Sequence, residues 1–498
     1  MEKDEIRLHY SGLIVFAAQM LSLATGLIFT LLLTRNMTQQ EYGIWANIFD
    51  VAGYFLLLSG VFPFWTMRFV AHQKQGAAKT GFLVNLVFSL IFAFVYVSLT
   101  PFLTAAFNIG GTYVFMYLIA SAQIINMHLI AALESVLRAR KPQAIGYGLL
   151  IEEVFKIALA YMLIVRLQQL FLGALLSLII AASVQVVYYL RLSWKEMRQK
   201  TQWAYVREWL KYSSVNIYNA VGNQLSAFTI ILLFLLGGQA ARGNYQAAMT
   251  YAGIIGYSLS LSYALYPTLL TKNNLEDVTS TLKTVLMTAI PLAAIVLSLP
   301  QSLLTILHVH YNEATPILVL LTLDAFVVLI SQFYSSVIFG VERLDEKAMI
   351  PFKELVRSRI FKVFTLPYVQ AAISIPACIY FLTQYAGGWQ VNAAVFVTAI
   401  NLAAHIVTAL IQYAMMHKSV RIDVPWGSIG KYILASAVSA AFLFLLPGTT
   451  TLLLTLAVVL AGGAVYAAVL LAIDKDARSL VRAIWHEVKG MVTKQGSA

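Results

Sequence analysis

Residues 79–141 read KTGFLVNLVFSLIFAFVYVSLTPFLTAAFNIGGTYVFMYLIASAQIINMHLIAALESVLRARK, and this stretch decides the fold. Its two apolar runs, about Thr80 to Pro101 and Tyr113 to Glu134, each reach the roughly 20 residues that a helix needs to cross a bilayer. No Lys or Arg lies between them, whereas Lys79 precedes the first run and Arg138, Arg140 and Lys141 follow the second. Cytoplasmic loops are enriched in lysine and arginine. The pair therefore reads as a membrane hairpin with both ends in the cytoplasm.

Working outward from it, about fourteen such segments can be marked. Before the hairpin come Ser11–Thr34 and Tyr42–Phe62; after it, Gln143–Val165 and Gln169–Leu190 complete a set of six. An amphipathic connector, RLSWKEMRQKTQWAYVREWLKY, occupies residues 191–212. Six more segments follow at about Ser213–Leu236, Tyr245–Pro267, Thr279–Leu299, Thr315–Gly340, Val363–Tyr385 and Trp389–Met416. The last two are Ser428–Leu446 and Thr451–Ile473, ahead of a basic tail. Thirty of the 34 Lys and Arg residues fall in every second gap, on one side. Arg35, Arg166 and Arg242 stand on the other side, and Lys156 lies within a segment. This places both termini in the cytoplasm of a multi-pass protein of the cell membrane.

Composition excludes a soluble domain. Hydrophobic residues make up 60% of the chain and charged ones 11%, against about 25% charged in soluble domains. A net charge of +12 beside membrane segments points to the anionic inner leaflet and not to nucleic acid. Cys378 stands alone, which rules out an intrachain disulfide. The opening MEKDEIRLHY leads into a stretch too long for the core of a cleavable signal and reads as the lead-in to a first anchor. No P-loop, GxGxxG, HExxH or cysteine pair is present, and the outward loops are too short for a catalytic domain. We expect no enzyme activity and no metal or cofactor.

EYGIWANIFDVAGYFLLLSGVFPF from Glu41 can be laid against NYQAAMTYAGIIGYSLSLSYALYP from Asn244, so that Tyr42 meets Tyr245 and Gly53–Tyr54 meets Gly256–Tyr257. Duplicated halves are a common way to build alternating-access transporters. The segment LTRNMTQQEYG (33–43) resembles one at the same place in the multidrug, oligosaccharidyl-lipid and polysaccharide exporter superfamily, especially its polysaccharide transporter branch. LRARKPQAIG (137–146), YPTLLTK (266–272) and HYNEATPILVLL (310–321) resemble it too.

The resemblance implies an all-α polytopic protein with two pseudo-symmetric six-helix lobes around a central cavity, plus two C-terminal helices. The lobes would be residues 1–190 and 213–417, joined by the connector 191–212. The extra helices would occupy 418–474 and the cytoplasmic tail 475–498. The implied function is to flip a lipid-linked oligosaccharide from the cytoplasmic to the outer leaflet. The expected partners are that lipid-linked substrate and membrane lipids, for a monomer open to association with glycan-assembly proteins. H⁺ or Na⁺ could drive it. The alternative is a cation-coupled drug or metabolite antiporter of the same superfamily.

A substrate phosphate favours cationic or amide-lined walls. In GLLIEEVFKIALA (148–160), Glu152 and Glu153 stand four and three residues from Lys156 on one helix. Counting from Gln143, Glu152 lies about 14 Å deep and Lys156 about 20 Å deep at 1.5 Å per residue. Ionisable groups at that depth face a bundle interior or wet cavity. Lys156 could attract phosphate, or the three could form a self-neutralised packing element. Asp50 and Asp324 are candidates for binding a coupling ion, and Asp50 lies on a helix that lines the cavity in the resembling family. Each could equally be hydrogen-bonded to a neighbouring helix. Arg35 and Arg242 could form a phosphate exit site or anchor the chain at the interface by snorkelling, and Arg68 could be an entry contact. Asn219 and Asn223 share one helix face and suit sugar hydroxyls or interhelical bonding. His128 and His405 read best as neutral, bonded across helices. Prolines at Pro63, Pro267, Pro291, Pro316 and Pro376 can bend helices, and the connector reads as a helix lying on the membrane surface.

Overall fold

The computed structural model describes residues 2–262, 275–342, 358–385, 390–418, 424–446, 448–479 and 482. The YPTLLTK motif with Pro267, most of the basic segment 343–362 and most of the tail 475–498 lie outside them. All regular structure among the described residues is helical. Backbone polar groups in hydrocarbon have no water to bond, and a helix satisfies them within the segment. Among the described residues, eleven helices are long and apolar enough to cross a membrane. The chain is a multi-pass membrane protein.

The three expected segments not among these eleven are helical where they are described, with a physical reason for standing apart. The second breaks into two helices at Phe55–Gly60. The fifth carries Glu152, Glu153 and Lys156 and ends in a π-helical turn at Tyr161–Arg166. The eighth passes from α-helix into 3₁₀-helix at Gly253. The second and fifth hold Asp50, Glu152, Glu153 and Lys156.

Contacts divide the chain into two compact units, residues 1–247 with 349–400, and residues 248–348 with 401–498. The first unit holds α1 (Glu2–Asn36), α2 (Gln39–Tyr54), α3 (Val61–Ala71), α4 (Ala77–Ala106), α5 (Gly111–Arg140), α6 (Gln143–Ala160) and α7 (Leu170–Leu192). It also holds α8 (Trp194–Met197), α9 (Trp203–Tyr212), α10 (Ser214–Ser226), α11 (Phe228–Leu232), the start of α12 (Gln239–Ala252) and a later helix of residues 359–385. Helix α1 packs on α6, α6 on α7, α7 on α5 and α5 on α4. Three buried hydroxyls of α4 are satisfied along their own chain: Thr80, Thr100 and Thr104 each donate to the carbonyl four residues back.

The connector does not simply lie on the surface. Trp209 of α9 is fully buried against Phe62, Trp65 and Phe69, and Trp65 Nε1 donates to Ser213 Oγ at 2.9 Å. Gly76, in the left-handed region at φ 78°, lets its own amide donate to Gln199 Oε1 at 2.6 Å. A Cβ there would lie 2.1 Å from the Lys200 carbonyl oxygen. Residues 199–213 are thus strapped to the α3–α4 corner. Trp209→Ala should cost about 3–5 kcal/mol, seen as a lower melting temperature and faster tryptic cleavage at Arg198 and Lys200. An unchanged digest would refute the docking.

The second unit holds the 3₁₀-helix Gly253–Ser262, α13 (Leu275–Ser298), α14 (Pro300–Leu307) and α15 (Thr315–Glu342). After α16 (Arg359–Tyr385) of the first unit come α17 (Gln390–His417), α18 (Trp426–Leu445) and α19 (Leu452–Ile473). Residues of α17 from Asn401 onward belong to the second unit, with α18 and α19. Helices α13, α15, α17 and α18 surround an apolar groove of about 820 Å³. Just past α19, burial would raise the Asp474 carboxyl. The Ala477 N–H at 2.8 Å and Lys431 Nζ at 3.0 Å outweigh it and hold the group below its usual range. Its contribution to stability is present above the ordinary carboxylate pKa and is lost as pH falls.

Candidate functional site

Helix α2 begins with a capping box: Thr38 Oγ1 accepts from Glu41 N–H, and the Glu41 carboxylate accepts from Thr38 N–H at 2.9 Å. One turn on, its backbone crosses α12 with almost no space. A Cβ on Gly43 would lie 1.8 Å from the Gln239 carbonyl oxygen, and one on Gly243 would lie 2.0 Å from that of Gln39. The contacts are reciprocal. They equate Gln39 with Gln239 and Gly43 with Gly243, about one turn away from the sequence register that set Tyr42 against Tyr245. Gln39 Nε2 also donates to Asn244 Oδ1 at 2.9 Å.

This crossing brings Arg242 to Asp50. Arg242 Nε donates to Asp50 Oδ2 at 2.7 Å and Nη2 to Oδ1 at 2.9 Å, a bidentate pair, while Nη1 donates to Gln246 Oε1 at 3.0 Å. Arg242 is 4% exposed and its guanidinium lies 5.5 Å from the Tyr245 ring centroid. Of the two readings of Arg242, the snorkelling interfacial anchor does not fit its burial, and Asp50 is bonded to a neighbouring helix, the second of its two readings. Gln246 had no signal in the sequence beyond its place one turn after Arg242.

Glu153 is buried and crowded. Ser22 Oγ donates to its Oε1 at 2.6 Å, Thr25 Oγ1 donates to Oε2, and Lys156 Nζ lies 2.5 Å from Oε2. Lys156 is 8% exposed and sits 6.0 Å from the Phe29 ring centroid. Glu153 and Lys156 of α6 thus pair with each other and are fastened to α1 through Ser22 and Thr25. Glu152 is half-buried and is the unmatched acid of the three, with no ion pair among the described residues. Ser22 and Thr25 escaped the sequence reading, although their spacing of three places both on one face of α1.

In the second unit, Asp324 of α15 meets His405 of α17, with Oδ1 and Nδ1 2.6 Å apart. His128 instead bonds within its own helix, its Nδ1 2.9 Å from the Ile124 carbonyl oxygen. Arg35 is exposed at the end of α1. Arg68, in the last turn of α3, stacks on Phe64 at 4.4 Å. Asn223 Nδ2 lies 3.4 Å from Asn219 Oδ1 on α10, and Asn223 is exposed. Beside them Tyr218 stacks on Tyr368 at 4.5 Å. Among the described residues no three His, Cys, Asp or Glu side chains come together as a metal site.

No protein-family model matches the sequence, and a comparison with curated proteins finds no match either. Solved structures do match. An inward-closed structure of the lipid II flippase MurJ aligns at TM-score 0.68 and 16% identity, covering 94% of this chain and 100% of that one. An inward-facing multidrug resistance MATE family transporter of the MOP superfamily aligns at TM-score 0.61 and 12% identity, over 80% of this chain and 95% of its own. A MOP superfamily transporter from Pyrococcus furiosus aligns at 0.52 and 12%, over 82% and 95%. At such identities the likeness concerns architecture: the chain has the fold shared by MOP superfamily transporters and the flippase MurJ.

Proposed function

We propose that this protein is a flippase that moves polyprenyl (pyro)phosphate-linked oligosaccharide from the cytoplasmic to the outer leaflet by alternating access. The observation that carries this reading is the match to a lipid II flippase over 94% of this chain and 100% of the other. The multidrug transporter folds reach 80–83% of this chain. In this reading both termini are cytoplasmic, and residues 1–190 and 213–417 act as lobes around a central cavity. The groove among α13, α15, α17 and α18 supports it further. Leu286, Ile290, Phe326, Ile406, Ile433 and Ala437 are among the side chains that line it, a surface suited to a polyprenyl tail while the phosphates and sugars take a polar route. Residue 437 belongs to one of the two helices that follow the twelfth segment.

The test is transfer of a fluorescent polyprenyl diphosphate sugar across proteoliposomes. Wild type should move it, and no transfer would overturn the reading. Ala437→Trp would narrow the groove and displace at least two methylene contacts. At about 0.8 kcal/mol each this should slow transfer about tenfold. The second reading, a cation-coupled drug or metabolite antiporter, draws on the match to a multidrug transporter at TM-score 0.61. Ion-driven uptake of a cationic dye without lipid-linked sugar transfer would favour it.

A further inference from the structure

At the C-terminal end of α7 four cations gather without a counter-ion. RLSWKEMRQK (191–200) holds Arg191, Lys195, Arg198 and Lys200 against a single acid, Glu196. All four cations are exposed, and none is in an ion pair among the described residues. An apolar recess adjoins them. Leu190, Arg191 and Trp194 stand three, four and seven residues after Val187, the spacing of one helix face, and the four side chains line a cavity of about 370 Å³.

Val187 is 64% exposed and Trp194 51%, whereas Val186 and Tyr189 on the other side of α7 are buried with Leu133, Leu137 and Ile145. The recess therefore opens away from the core of its unit. Both of its sides are held in place. Leu190 packs on that buried cluster, and the Ser193 N–H donates to the Tyr189 carbonyl at 3.0 Å where α7 ends. Beyond α8, Gln199 Oε1 accepts from Gly76 N–H and Gln202 N–H donates to Thr80 Oγ1. The Arg198 guanidinium lies 5.8 Å from the Trp194 ring centroid, over a wall of the recess. Val187 precedes Arg191 by one turn, about 6 Å along the helix, so apolar wall and cation follow in the order in which a phospholipid presents its chain and its phosphate.

We propose that the α7–α8 corner is a binding site for an anionic phospholipid, with a chain against Val187 and Leu190 and the phosphate held by Arg191 and Arg198. Charge complementarity selects this occupant. A neutral lipid would cover the apolar wall and leave four cations uncompensated, and a soluble anion would meet the cations and leave Val187 and Trp194 bare. An anionic lipid meets both. Arginine matches phosphate with a planar fork of donors, tryptophan favours the level of the headgroups, and basic residues beside a membrane segment attract anionic lipids. In the orientation proposed above the lipid belongs to the cytoplasmic leaflet. Binding itself needs neither that orientation nor the flippase reading.

The full chain in detergent is titrated with phosphatidylglycerol or with phosphatidylcholine of the same chains, and bound lipid is counted by native mass spectrometry. Wild type should bind phosphatidylglycerol about fivefold or more tightly than phosphatidylcholine. Arg191→Gln and Arg198→Gln should each weaken phosphatidylglycerol about fivefold, the equivalent of about 1 kcal/mol per cation at a membrane surface, and leave phosphatidylcholine unchanged. Arg140→Gln removes an exposed base at the end of α5 and is the control for net charge, with no change expected. Equal binding of the two lipids by wild type, unaltered binding in both arginine variants, or an equal loss in Arg140→Gln would each overturn the site. Displacement of phosphatidylglycerol by soluble glycerol phosphate would mean an anion site without a lipid and would overturn it as well. If Arg191→Gln does not fold, Arg198→Gln decides alone. Failure of sugar transfer in proteoliposomes leaves this site standing, and loss of the lipid preference leaves the flippase reading standing.

Discussion

Arg242→Ala is expected to destabilise the protein by about 3–5 kcal/mol, because it strands the Asp50 carboxylate in a partly buried place. Arg242 Nε and Nη2 grip both oxygens of Asp50 while Nη1 holds Gln246, so three hydrogen bonds go at once. Arg242→Lys should recover little, since an ammonium cannot reproduce a planar fork. The pairing is tested by a double-mutant cycle on thermal unfolding in detergent. Asp50→Asn combined with Arg242→Gln should cost less than Arg242→Ala, because no lone charge stays behind. A melting temperature of Arg242→Ala equal to wild type would refute the buried pair. Transport should fall with both single variants if the α2–α12 crossing belongs to the working machinery.

Gly43→Leu or Gly243→Leu should prevent recovery of folded protein altogether. Each Cβ would meet a backbone carbonyl at 1.8 or 2.0 Å, and backbone cannot rotate away as a side-chain tip could. The cost should exceed the 4–5 kcal/mol that marks exceptional substitutions. Even alanine should be harmful at either position. Gly26→Ala is the control: nothing lies within 4 Å of its Cβ, and exchanging glycine for alanine inside a helix favours it by about 1 kcal/mol. Yield of monodisperse protein by size-exclusion chromatography separates the two cases. Normal yield of Gly43→Leu would mean that α2 and α12 do not cross in this way.

The membrane character of the chain was legible without coordinates, since segment length and charge placement are local properties. Lys156 is instructive. The alternating basic loops made it conspicuous as the one base inside a segment, and its pairing with Glu153 followed from helical spacing, which makes residues three apart neighbours. The further partners of Glu153, Ser22 and Thr25, come from α1, 131 and 128 residues away from it. The broken second segment was not legible either, because the run Phe55–Gly60 is as apolar as the helices around it.

Sequence alone therefore determined the helical, membrane-spanning character, the basic and base-poor gaps, and any pair within two turns of one helix. Tertiary structure alone decided that Asp50 belongs with Arg242, 192 positions away, and Asp324 with His405, 81 positions away. The reason is geometric. Helical rise and twist set neighbours along a segment, but which face of one helix meets which face of another depends on rotation and register. Those are set by close packing such as that of Gly43 against the Gln239 backbone.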